Sequence, residues 1–187
     1  MKNRIKEVAA ALIAEKGYSR TSMREIAEGV GLTKAAIYHH YPSKEKILEC
    51  IVIESLEFMN QAHIALEQKD SPVWDIIEEW VENTVDQAIR YPNARRLIFF
   101  VMTGRFSDQV HIDITPYMTL SNNTLLKVLQ RGVANNDIRN DIPLDVMSRI
   151  FFATINGALM VPMIHQTDAK TDISMHIIKF LRGGLRK

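Results

Sequence analysis

Cysteine is nearly absent: Cys50 stands alone among 187 residues. One thiol cannot close an intrachain disulfide, which suits a reducing, cytoplasmic setting. No Cys/His cluster has zinc-ligand spacing and no H-E-x-x-H occurs, so no metal is expected. The phosphate-cradling G-x-x-x-x-G-K-[ST] loop and the G-x-S-x-G nucleophile turn are missing too. These absences argue against an enzyme and against a resident cofactor. Long hydrophobic runs are also lacking. The most apolar stretch, residues 150–164, falls short of the roughly 20 residues that span a bilayer, so no membrane partner is expected. The N-terminus is interrupted by Lys6, Glu7, Glu15 and Lys16, which makes it an amphipathic helix and not a signal peptide. Strand-type alternation is almost absent as well.

Helical periodicity fills the chain instead. Ile5, Val8, Ala9, Leu12 and Ile13 form one helix stripe, ended by Gly17. Ser22 and Glu25 have capping-box spacing and open a second helix over Met23, Ile26, Ala27 and Val30. Thr33 caps a third, which ends near Tyr41-Pro42. Ser43 caps a long fourth helix, expected to run unbroken to about Lys69. Pro72, Pro92, Pro116 and the polar loop 135–141 punctuate the rest. Further helices are expected from Pro72, from Ala94, near Pro116, over 144–165, and from Asp172 to Leu181 before Gly183-Gly184. The expectation is an all-α fold of about nine helices. A three-helix head, residues 1–48, precedes a helical-bundle body, residues 49–187. Net charge is +1 overall, but residues 1–50 hold nine Lys/Arg and six Asp/Glu, a net of +3. The remainder, with fourteen and sixteen, nets −2. A mildly basic head is consistent with a domain that meets phosphates.

Residues 21–48, TSMREIAEGVGLTKAAIYHHYPSKEKIL, carry the sharpest signal. Ala27 is small enough for close helix crossing. Gly31, four residues on, can take the left-handed backbone of a tight turn. Ile37, six further on, can plug the gap between the helices. This is helix-turn-helix spacing, in which the second helix enters the major groove of DNA. Over residues 4–50 the chain resembles the TetR family of transcriptional regulators. The body matches that family in helix number, helix lengths and size. The resemblance implies an all-helical homodimer, a DNA-binding head of three helices, and a ligand-binding body that controls the head. It implies a repressor released from a palindromic operator in double-stranded DNA by a small, largely apolar effector. The alternative is a ligand-independent DNA-binding regulator or activator.

With Ile37 facing inward, the helical wheel turns Lys34, Ala35, Ala36 and His39 toward the groove. In the family pattern the positions matching Thr33, Tyr38, His40 and Lys44 grip the backbone. Thr33 sits at a helix N-terminus, which favours an anion. Lys44 opposes its own helix dipole, which suggests a role other than helix stability. His39 and His40 point about 100° apart, a poor arrangement for sharing one metal ion.

The helix over 150–164 is apolar on every side and must be buried on every side. Phe152, Ile155 and Leu159 are expected on the chain's own core. Phe151, Thr154, Ala158 and Val161 are expected at a dimer interface, joined by Ile173, Ile177, Phe180 and Leu181 from the last helix. Large, adaptable side chains in the body define a candidate effector pocket: Phe58, Met59, Trp80, Phe99, Met102, Thr103, Phe106, Tyr117, Asn156 and Met160.

Overall fold

The computed structural model describes residues 1–106, 108–165 and 173–187, with the side chains of 161–165 outside that description. Among the described residues there are nine α-helices: α1 Lys2–Lys16, α2 Met23–Val30, α3 Lys34–His40, α4 Lys44–Glu67, α5 Val73–Arg90, α6 Pro92–Met102, α7 Thr115–Ala134, α8 Leu144–His165 and α9 Ile173–Leu185. They form two compact units. Met1–Glu57 and Tyr91–Ile114 make the first, Phe58–Arg90 and Thr115–Lys187 the second. These units do not follow the linear boundary at residue 48, because a segment from mid-chain, α6 and the loop after it, joins the first unit.

In the first unit α1 packs on both α2 and α6. Its burial accordingly extends beyond the expected stripe to Ala10 and Ala14, small residues that permit close approach. Ile5, Ile13, Ile26, Ile37, Ile47, Leu48 and Leu97 are fully buried there. Each such side chain contributes roughly 1.5–3 kcal/mol through removal from water. The short helices α2 and α3 could not stand alone, so packing and not propensity holds them helical.

The second unit is built on Trp80, whose ring meets Phe151 edge-on at 6.1 Å. Met147, Phe151, Ile155 and Leu159 form the buried ridge of α8 at four-residue spacing. Phe151 therefore belongs to the unit's own core and not to a partner face, and Phe152 is only half-buried. The expectation had the phase wrong because a helix apolar all round offers no polar face to set it. On α9 the ridge is Ile177, Leu181 and Leu185, which removes Ile177 and Leu181 from the expected dimer face. Ile173 and Ala158 are half-buried against the same core. Thr154 is half-buried with its hydroxyl donated to Ile150 O at 2.8 Å. The Val161 side chain lies outside the described residues. Among the described side chains of that group Phe180 alone stands well exposed, at 66%, with Ile150 and Met175 as further exposed apolar residues on these two helices.

Helix α9 also runs through Gly183-Gly184, where a stop was expected. Buried Leu185 holds the last turn in place, and its carbonyl accepts from Arg139 N at 2.9 Å. No helix among the described residues is long and apolar enough to cross a membrane.

Candidate nucleic-acid interface

Local rules build the interface. Ser22 Oγ accepts from Glu25 N at 3.2 Å and Glu25 Oε2 accepts from Ser22 N at 2.8 Å, a complete capping box. Glu25 also meets Lys16 Nζ at 3.0 Å. The Lys16 bond, followed by the bonds from Ser22, holds the Glu25 carboxyl down to about 2. At the far end of α2, Gly31 takes φ 72°, ψ 29°, and Leu32 N reaches back to Ala27 O at 2.8 Å. Ala27 is buried, as the crossing requires. A second close approach went unread in the sequence: a Cβ on Gly29 would stand 2.6 Å from Val8 Cγ1. Only the residue type at 29 signals it.

Thr33 caps α3, its Oγ1 accepting from Ala36 N at 3.1 Å. That leaves the hydroxyl proton able to donate outward, the direction a phosphate contact needs. Ile37 is fully buried and anchors α3 from beneath. Thr33, Lys34, Ala35, Tyr38 and His39 are exposed, with Tyr38 at 44%, and Ala36 and His40 are half-buried. All the expected DNA-facing residues except Lys44 thus lie on one short helix and its cap, around one inward anchor. Of the two nearby arginines, Arg24 pairs with Glu28 at 2.8 Å and Arg20 Nε donates to Lys16 O at 2.8 Å.

Lys44 departs from expectation. Its ammonium donates to Thr21 O at 2.6 Å and to Tyr18 O, and sits 4.1 Å from the centre of the Tyr18 ring. Burial lowers its pKa, and burial followed by Glu45 raises that of Tyr18. In this structure Lys44 clamps the turn before α2 to the start of α4. This also explains a cation placed against its own helix dipole.

The expected effector residues divide between the units. Phe99, Met102, Thr103 and Phe106 fall in the first unit. Phe106 is buried there, 5.5 Å from Phe100 and 5.8 Å from Tyr18 between ring centres, which corrects its assignment to a body pocket. Phe99 is half-buried and Met102 and Thr103 are exposed. In the second unit Trp80 is buried, Met59, Tyr117, Asn156 and Met160 are half-buried, and Phe58 is 56% exposed.

A capped α2, a left-handed glycine turn and an exposed α3 face define the class: a helix-turn-helix DNA-binding protein. Residues 5–51 match the family model described as bacterial regulatory proteins, tetR family. Over residues 5–51 the chain carries the DNA-binding segment that this family model describes, and its relatives support a TetR-family regulator. It is similar to the HTH-type transcriptional repressor KstR2 of Mycolicibacterium smegmatis, 26% identical over 145 residues, 76% of this chain and 70% of that protein. It is also similar to IcaR of Staphylococcus aureus, a negative transcriptional regulator of the biofilm operon icaADBC. That match is 31% identical over 81 residues, 43% of this chain and 44% of the relative. In fold it resembles the ketosteroid transcriptional regulator KstR2 of Mycobacterium tuberculosis (TM-score 0.80, 18% identity, covering 100% and 95% of the two chains). It resembles the TetR family transcriptional regulator PfmR of Thermus thermophilus as well (TM-score 0.79, 22% identity, covering 95% and 94%). These relatives are named as transcriptional regulators.

Proposed function

We propose that the protein is a homodimeric repressor that binds a palindromic operator through α3 and releases it when a small, largely apolar effector enters the second unit. The observation that carries the reading is the exposed face of α3, with Lys34, Ala35 and His39 presented by a buried Ile37 and a capping Thr33. Lys34 can donate to guanine, the alanines allow close approach to a thymine methyl, and Thr33 and Tyr38 can hold phosphates. Relatives named as transcriptional repressors support the sign of regulation.

Exposed Ile150, Met175 and Phe180 support self-association through α8 and α9. Two heads about one DNA turn apart (~34–36 Å) then read a palindrome. Met59, Trp80, Tyr117, Asn156 and Met160 support an effector site among the helices of the second unit. Helix α4, continuous from Lys44 to Glu67, leaves the head and enters that unit without a linker, so it is the covalent route for coupling.

The test is selection of bound sequences from a random duplex pool at near-physiological salt. An inverted repeat is expected. Binding without enriched sequence would reduce the protein to a phosphate-gripping architectural role. An effector that releases the operator must itself be bound more weakly, by the same factor, when operator is present. Operator binding that no metabolite displaces would leave a ligand-independent regulator.

A further inference from the structure

His63 lies on α4 in the second unit and is 2% exposed. Its ring stacks on Trp80, with centroids 3.8 Å apart and planes 13° apart. Thr84 lies 3.4 Å from His63 Nε2, and the Thr84 hydroxyl donates to Trp80 O at 2.8 Å. A hydroxyl has one proton, and here the carbonyl takes it. The Thr84 oxygen can then only accept from the imidazole, which places the ring proton on Nε2. Nδ1 is left as a bare lone pair, buried, with no hydrogen-bond partner among the described residues.

An unpaired buried acceptor costs free energy, so one that persists in a helical core calls for a function. Three other buried or part-buried polar groups of this unit are paired. Asn60 Nδ2 donates to Tyr117 O at 2.9 Å, Thr124 to Leu120 O at 2.9 Å, and Ser148 to Asn122 Oδ1 at 2.6 Å. The other buried unpaired side-chain atoms among the described residues are arginine donors, on Arg131 and Arg182.

We propose that His63 Nδ1 is the polar anchor of the effector site, and that the effector is a neutral, mostly apolar molecule carrying a hydroxyl or N–H donor. This rests on the effector-responsive reading above and narrows it. A carboxylate presents only acceptor oxygens and would meet the lone pair with another lone pair. An aromatic or aliphatic body suits the apolar surroundings, and one donor satisfies the one open acceptor. Burial keeps the imidazole neutral, with its pKa lowered to about 3, so the acceptor persists at physiological pH.

The experiment uses the full chain, selectively labelled at histidine nitrogen. Probes are phenols from phenol to 4-tert-butylphenol, each compared with its methyl ether. The expected result is a shift of the His63 Nδ1 resonance by a phenol and not by its ether, with the phenol bound at least about tenfold more tightly. His63→Gln keeps an acceptor and should retain phenol binding. His63→Phe keeps a ring on Trp80, removes the acceptor, and should bind phenol and ether alike.

Equal binding of phenol and ether to the unmodified chain overturns the proposal. So does a lone pair already hydrogen-bonded without probe and unmoved by it, which would mean a buried water only. Failure of every probe to bind overturns it too. Operator release is read separately by fluorescence anisotropy. Release by a compound that leaves His63 unperturbed would sink the anchor and keep the repressor reading. Phenol binding at His63 with no effect on operator binding would leave a donor-binding site there and overturn its role as the effector anchor.

Discussion

Lys34 and Lys44 are the same residue type in neighbouring helices, and their surroundings set them apart. Lys34 is exposed on the reading face. Lys34→Ala should relax choice at one base pair per half-site, costing roughly 1–3 kcal/mol against the preferred base. Binding measured across operator variants checks this, and uniform loss on all sequences would contradict it. Lys44 directs its donors to the Tyr18 and Thr21 carbonyls. Lys44→Met should lower head stability by about 1–3 kcal/mol, since bonds from a charged donor are lost. The decrease should be read by denaturant unfolding, with little change in the salt slope of operator binding. A slope reduced by about one, with stability unchanged, would return Lys44 to phosphate.

His63 makes a pH prediction of its own. An imidazole near 6.5 in the unfolded chain and near 3 in the folded one binds its proton more readily when unfolded. Its neutral form therefore favours the fold above about pH 6.5. Stability should fall by about 1.4 kcal/mol per pH unit between about 6.5 and 3. His63→Phe should remove that component from the pH dependence of unfolding. Identical slopes for the two proteins would mean that His63 titrates freely in the fold.

At the scale of elements, termini were the most legible features. The Ser22–Glu25 box, the Gly17 and Gly31 caps and the Thr33 cap lie where residue chemistry places them, because a cap is decided by neighbours within four residues. Gly31→Ala tests one such rule in isolation. Nothing stands within 4 Å of an added Cβ, so the cost is backbone strain at φ 72° alone. A loss of about 1–2 kcal/mol is expected by thermal unfolding, with no new packing defect. Helix faces were less legible. The phase of α8 was misread at Phe151 for want of a polar side, and α9 outran two glycines because Leu185 has a buried seat.

For the whole molecule, the apolar residues still exposed on α8 and α9 are the strongest pointer to assembly. Phe180 is 66% exposed, on the same helix as the buried Ile177–Leu181–Leu185 ridge. Phe180→Glu should leave the monomer fold intact and weaken self-association at least about tenfold, since a buried charge without a partner is costly. Sedimentation velocity reads the association, and operator affinity should fall with it. An unchanged dimer would place the interface elsewhere.

By itself the sequence determined the helices, their caps, the helix-turn-helix and the exposed residues on α3. Those depend on short-range spacing, on a positive-φ glycine and on one inward isoleucine. Tertiary structure decided which face of α8 is core, that Lys44 is a clamp, that Phe106 and α6 belong with the head, and that His63 keeps an open lone pair. Each of these turns on partners far away in the chain: Tyr18 for Lys44 and Phe106, Trp80 for Phe151 and His63. Periodicity reports which side of a helix is apolar, but only packing chooses among equally apolar sides, and only packing leaves a buried atom with or without a partner.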